Sequence, residues 1–288
     1  MSALLLLLLL LMKLFPLYPS LWFINGLAYL GDYKVVKNQP YADNALNHLD
    51  IYIPTQKHPK DQTSFPTVIF FYGGCWGGCL TLEKKYYRFV ADSLTEQGYL
   101  TVIPDYRRHP QVRFPSIMAD AKQVVEWVEA NIGDYGGDSK HIFLMGHSAG
   151  AHLAATLSLN PRYLSAKSYA NLAGFVGLAG PYDFLPFTDA YQFEVFAPES
   201  AYFESQPINF VDGTEIPLLL LYGNQDQRVF PHNIKNLSEK VKQKGGNVET
   251  HLYDEIDHMG LIAALTRPYR EQKTVLKDII KFLHQHSD

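Results

Sequence analysis

Thiols are scarce in this chain. Cys75 and Cys79 are the two cysteines among 288 residues. With no second pair and no histidine beside them at ligand spacing, the composition argues against a zinc site or any other metal. Two free thiols in a glycine-rich turn are the expectation, with pairing the alternative in an oxidising compartment. Net charge is -4 and no basic stripe is present, which removes nucleic acid as a partner. Internal repeats and low-complexity linkers are also lacking, and at this length one large α/β domain accounts for the chain. Hydrophobic residues make up 47% and charged residues 19%, enough to bury a substantial core rather than leave a disordered chain.

Positive charge is missing ahead of the first apolar run as well. Ala3 to Met12 is almost pure leucine, and no Lys or Arg precedes it. Lys13, Pro16 and Pro19 then interrupt a second apolar segment, Leu14 to Leu30, so neither half reaches the length of an unbroken spanning helix. Together they read as a signal or membrane anchor over residues 1–30, with Gly26-Leu27-Ala28 a small-x-small cleavage site. That reading makes the protein exported, periplasmic or membrane-anchored, with membrane association through the apolar segment. The competing readings are a start at Met12, with Lys13 as charged leader, and a helix packed on a cytoplasmic domain.

From Tyr33 onward the pattern is that of a folded domain. Short strands at Lys34 to Lys37 and Leu49 to Ile53 suggest an antiparallel hairpin. The unbroken apolar run Thr67 to Tyr72, set between Pro66 and Gly73, predicts a buried central strand. A helix over Glu83 to Gln97, a strand over Leu100 to Pro104 and a helix over Pro115 to Asn131 follow. Further strands are expected at Gly174 to Ala179, Leu218 to Tyr222 and Val248 to Tyr253. Helices are expected at His232 to Lys244 and Pro268 to His286. Strands alternating with helices imply parallel pairing through right-handed crossovers.

The chemistry centres on Gly146-His147-Ser148-Ala149-Gly150. It lies between the apolar run Ile142 to Met145 and an Ala-rich helical run from Ala151 to Leu159, the strand-turn-helix context of a nucleophile elbow. The turn strains the serine backbone, and a Cβ at position 146 or 150 would strike the neighbouring strand or helix. A serine hydroxyl needs a base, and the base needs an acid to fix its tautomer. In an open parallel sheet such groups sit on loops at the carboxyl ends of strands. Asp226, after the Leu218 strand, and His258, after the last strand, meet that requirement in the order serine, acid, base. Asp257 is the rival acid. His147 and His152 are expected to serve packing or the surface.

An oxyanion hole needs amides at the end of another central strand. Tyr72-Gly73-Gly74-Cys75-Trp76-Gly77-Gly78 supplies them, and the donors expected are the amides of Gly74, Cys75 and Ala149. The stretch lacks the Lys-Ser/Thr ending of a phosphate-binding loop. Between Gly180 and Ile216 lies an insertion rich in Tyr, Phe and Pro, too long for a plain connection and too aromatic for a solvated one. Residues 181–215 are therefore expected to form a lid over an acyl or aryl pocket.

Phe71-Tyr-Gly-Gly-Cys-Trp76, Pro104-Asp-Tyr-Arg107, Tyr135-Gly-Gly-Asp138, Gly146-His-Ser-Ala-Gly150, Gly180-Pro-Tyr-Asp183 and Asp257-His-Met-Gly260 together resemble the α/β-hydrolase carboxylesterases. The nearest likeness is to the bacterial feruloyl-esterase-like group related to hormone-sensitive lipase and kynurenine formamidase. The resemblance runs from about Tyr33 to the C-terminus. It implies a mostly parallel eight-stranded sheet flanked by helices, forming a catalytic domain over residues 31–288. It also implies a serine carboxylic ester hydrolase that uses an acyl-enzyme, needs no cofactor, and takes small, short-acyl or aromatic esters. The lipase and formamidase branches carry His where this chain has Tyr72, which weakens transfer of a formamidase activity. An arylformamidase and a non-catalytic hydrolase-fold binding protein are the alternatives. Asp105, Arg107 and Asp138 are read as structural.

Overall fold

A computed structural model describes residues 25–56 and 64–287. Most of the expected leader, through residue 24, lies outside the described residues. The stretch holding the expected cleavage site is packed on the domain. Ala28 is buried, Asn25 Nδ2 donates to the Tyr86 carbonyl at 2.6 Å, and the Tyr33 hydroxyl donates to the Ala28 carbonyl. No helix among the described residues is long and apolar enough to cross a membrane.

Eight strands form one sheet: β1 (Tyr33–Pro40), β2 (His48–Pro54), β3 (Phe65–Phe71), β4 (Leu100–Pro104), β5 (Gly137–His147), β6 (Leu172–Leu178), β7 (Leu218–Gly223) and β8 (Val248–Tyr253). Their order is β1-β2-β4-β3-β5-β6-β7-β8. The β1–β2 and β2–β4 pairings are antiparallel and the rest parallel. β7 is buried along its whole length and β3 at every residue but the first, which explains why both read as continuous apolar runs. Register then aligns the strand ends. Phe71 pairs with Gly146, His147 with Leu178, and Gly223 with Tyr253. The loops leaving β3, β5, β7 and β8 therefore emerge on one rim.

The helices are α1 (Arg88–Thr95), α2 (Phe114–Asn131), α3 (Ala149–Leu159), α4 (Ala166–Ala170), α5 (Ala190–Val195), α6 (His232–Gln243), α7 (His258–Ala263) and α8 (Val275–Gln285). Two depart most from expectation. The helix expected over Glu83 to Gln97 opens as a 3-10 turn, Lys84–Tyr87, before α1. Residues three apart eclipse on such a turn, so Lys84 and Tyr87 both face inward. The Lys84 ammonium lies 3.1 Å from Asp105 and 3.6 Å from Asp50, while the Tyr87 ring packs on Phe70 and Tyr72. The last helix begins at Val275 rather than Pro268, because Arg267 and Arg270 hold the preceding turn against the buried Asp92 carboxylate on α1, at 2.7 and 3.2 Å.

The insertion after β6 contains α5 and several 3-10 turns around an aromatic cluster. Phe187 lies 5.3 Å from Phe196 and 4.6 Å from Tyr202, and Phe196 lies 4.8 Å from Trp76 on the loop after β3. Burial of these rings supplies the ordering energy that a solvated loop of this length would lack. Arg107 pairs with the fully buried Asp120, and Asp138 bonds His141 at 2.8 Å; Asp105 sits in the Lys84 network, so all three are structural as expected.

Candidate active site

Ser148, between β5 and α3, has φ 55° and ψ -125°, a conformation that non-glycine residues hold only when their surroundings impose it. Those surroundings are glycines. A Cβ on Gly146 would meet the Gly150 carbonyl and the Ala151 amide, and one on Gly150 would meet the carbonyls of Phe71 and Tyr72. Helix α3 starts at Ala149, two residues earlier than its sequence suggests. The Ala149 N–H is thus an unpaired helix-end donor beside Ser148.

Asp226 follows β7 and His258 is the first residue of α7 after β8. The His258 Nδ1–H donates to Asp226 Oδ2 at 2.7 Å, and the other carboxylate oxygen accepts from the Arg228 and Val229 amides at 2.7 and 3.0 Å. Burial by itself raises the Asp226 pKa. The His258 bond and charge and the two amides outweigh it and hold the carboxyl below its usual range. Asp257, the rival acid, is occupied elsewhere: it caps α7, accepting from the Gly260 amide at 2.6 Å. Ser148 and His258 line one cavity of about 570 Å³. No hydrogen bond joins their side chains among the described residues. Such links are commonly long before substrate binds and tighten with it.

The loop after β3 passes beside Ser148, with a hypothetical Gly73 Cβ only 3.0 Å from the serine Cβ. The amides of Gly74, Cys75 and Ala149 donate to no carbonyl among the described residues, so all three are available to a ligand in the cavity. Tyr72 braces this loop as a neutral donor: its hydroxyl bonds Asp105 at 2.7 Å, and burial pushes its pKa well up. Tyr106 bonds the Tyr72 carbonyl at 2.7 Å. The two cysteines do not remain free thiols as expected; Cys75 and Cys79 form a disulfide. Their four-residue separation, bent through a run of left-handed backbone, brings the Cα atoms to 5.3 Å, within bridging range.

Two histidines have roles beyond general packing. His147 Nε2 donates to the His258 carbonyl at 3.0 Å, and burial lowers its pKa to about 3. His152 accepts at Nδ1 from Trp76 Nε1 at 3.0 Å and donates from Nε2 to the Ser205 carbonyl at 2.7 Å. Burial lowers its pKa to about 4, so it stays neutral in this tautomer. His152 therefore links the loop after β3 to the insertion. The one sequence signal for these roles is their position beside the elbow.

Insertion residues Phe184, Leu185 and Tyr191 line the same cavity as Ser148, with Phe230 and Met259 from the opposite loops. No group of three or more His, Cys, Asp or Glu is placed to hold a metal ion among the described residues.

Comparison with known proteins agrees with this fold. Residues 49–241 match the BD-FAE family model. The chain is 28% identical to a probable isoprenylcysteine alpha-carbonyl methylesterase of Oryza sativa subsp. japonica, covering 87% of this chain and 63% of that protein. It is 26% identical to the isoprenylcysteine alpha-carbonyl methylesterase of Arabidopsis thaliana, covering 99% of this chain and 69% of the relative. The chain thus spans about two thirds of the length of these relatives. Among solved structures, a truncated carbohydrate esterase from gut microbiota superposes with a TM-score of 0.75 at 20% identity, over 89% of this chain and 97% of that one. With the family model covering most of the domain and the sheet order matching its fold, the chain belongs to the BD-FAE family of α/β-hydrolase esterases.

Proposed function

We propose that the protein is a serine carboxylic ester hydrolase acting through an acyl-enzyme. The observation that carries the reading is the Asp226–His258 hydrogen bond, on the cavity where Ser148 is held in a strained turn beside three unpaired amides. Ser148 Oγ attacks the ester carbonyl while His258 Nε2 takes its proton. Asp226 keeps the proton on Nδ1 and steadies the imidazolium. The Gly74, Cys75 and Ala149 amides receive the oxyanion, each such donor being worth about 3 kcal/mol of barrier lowering. His258 returns the proton to the departing alcohol, and water reverses the sequence to release the acid.

The insertion, residues 181–215, acts as the lid. Its Phe184 and Leu185 favour apolar short-acyl or aromatic esters over highly charged ones, and relatives named for methyl esters of isoprenylcysteine agree with an apolar substrate. The Cys75–Cys79 disulfide supports an exported or lumenal location for the domain. Activity against a panel of nitrophenyl esters, with fluorophosphonate labelling of the wild type and Ser148→Ala, tests the reading. Hydrolysis and labelling that both vanish in the variant are expected; labelling that persists at another residue overturns it. Exchange of residues 184–203 is expected to alter the preference among the esters.

A further inference from the structure

Gly74, Cys75, Trp76 and Gly77 form an unbroken left-handed run, with φ of 119°, 55°, 55° and 96°. Glycine adopts such values freely, whereas a cysteine and a tryptophan hold them only under constraint. Trp76 has its constraint in the His152 hydrogen bond and the rings around its indole. The carbonyl side of the run is also pinned. Gly74 accepts from the Gly77 amide at 3.0 Å, Cys75 from Gly78 at 2.8 Å, and Trp76 from His109 at 2.9 Å. The Gly74 and Cys75 N–H groups, which the ester-hydrolase reading assigns to the oxyanion, themselves bond to no carbonyl among the described residues, and the Cys75 N–H is aimed only through the peptide plane that it shares with the Gly74 carbonyl. What fixes Cys75 through its own side chain is the covalent bond to Cys79.

We propose that Cys79 is a positioning residue for catalysis: through its disulfide it locks Cys75 in the left-handed conformation that aims the Cys75 amide at the oxyanion. This rests on the ester-hydrolase reading and adds to it a residue that does not touch the reacting atoms. Both cysteines line the catalytic cavity and Cys79 is exposed, so a small dithiol reaches the bond. One reductant thiolate attacks a sulfur to give a mixed disulfide, and the second displaces it. Two cysteine thiols and one oxidised reductant result, with two electrons and two protons passing to the protein. Once released, Cys75 relaxes toward negative φ, the single Gly77-to-Gly74 hydrogen bond that orients the shared peptide plane gives way, and the Cys75 amide turns from the cavity, while Ser148, His258 and Asp226 keep their own supports.

The test uses the full-length protein and a nitrophenyl ester. The oxidised wild type is compared with wild type reduced by dithiothreitol after folding, and with Cys79→Ser. In both altered forms kcat is expected to fall about 100-fold, the scale of losing one oxyanion donor, with KM within about twofold. Affinity for a trifluoromethyl ketone, whose tetrahedral adduct occupies the hole, is expected to fall in parallel. Reoxidation restores the reduced wild type, and dithiothreitol leaves Cys79→Ser unchanged. Undiminished kcat in the reduced wild type overturns the proposal. So does a loss of activity matched by an equal loss of the folded near-ultraviolet circular dichroism signal, which would mark general unfolding. Should Cys79→Ser fail to fold, the reduced wild type carries the comparison. An oxidised wild type that neither hydrolyses esters nor reacts with fluorophosphonate brings down the hydrolase reading itself, a result distinct from retained kcat on reduction.

Discussion

His147 Nε2 donates to the backbone carbonyl of His258 across 3.0 Å, and the two rings lie 4.8 Å apart. The residue preceding Ser148 therefore holds the main chain that carries the imidazole. His147→Leu removes the donor and with it this tie between the elbow and the backbone that carries the base. A small displacement of the base is expected to lower kcat by about 100-fold, with little change in KM. His147→Gln, whose amide still donates, is expected to recover most of the rate. Equal kinetics for the two variants would deny the hydrogen bond this role.

Asp226→Asn keeps the shape of the side chain but removes the charge that fixes the Nδ1–H tautomer. A loss of about 10⁴-fold in kcat is expected by analogy with other serine triads. Asp257→Asn, at the cap of α7, is expected to cost far less. Steady-state kinetics on a single ester separates them, and a larger loss at position 257 would exchange their assignments.

Gly150→Ala drives a methyl group into the carbonyls of Phe71 and Tyr72 at the end of β3. Backbone cannot step aside as a side chain can, so a cost of about 3 kcal/mol in unfolding free energy is expected. Gly133, with nothing within 4 Å of its hypothetical Cβ, is the matched control. Its alanine variant is expected to be neutral or slightly stabilised. Urea unfolding of the two variants measures the difference.

Burial holds His152 at about 4 and, with the neighbouring His258 charge, His147 at about 3, against an ordinary 6.5. The unfolded chain binds protons at these imidazoles as pH falls through 6.5, while the folded state does not until near pH 4 and 3. Their stabilisation is thus complete above pH 6.5 and is lost progressively as pH falls toward those lower values. Each contributes a slope of about 1.4 kcal/mol per pH unit within its window. His152→Gln, which can still accept from Trp76 and donate to Ser205, is expected to remove one such share. Denaturant unfolding from pH 7 to 4 checks this, and identical slopes in variant and wild type would contradict it.

The elbow, Asp226 and His258 were legible because each announces itself locally, as a glycine-flanked serine or as a polar residue just after an apolar strand. The antiparallel β1–β2 pair and the parallel core followed from the same periodicity. The break at Lys84 and the late start of α8 were not legible, since their causes are distant in sequence. Lys84 answers to Asp105, and Arg270 to Asp92, 178 residues away. The second duties of His147 and His152 were hidden likewise, one partner being a carbonyl 111 residues on and the other a carbonyl 53 residues on. The disulfide was open at the level of spacing, because only the left-handed run folds Cys79 back onto Cys75.

The Trp76–His152–Ser205 chain ties the strand-end turn to the aromatic cluster of the insertion. Fit and speed consequently share hardware. A variant that reshapes the cavity-lining Phe184 to admit a bulkier ester also shifts the seat of the indole it stacks on, and with it the turn after β3. Diversification of this scaffold toward new esters is thus expected to proceed by paired changes, one at Phe184 and a compensating one around Trp76.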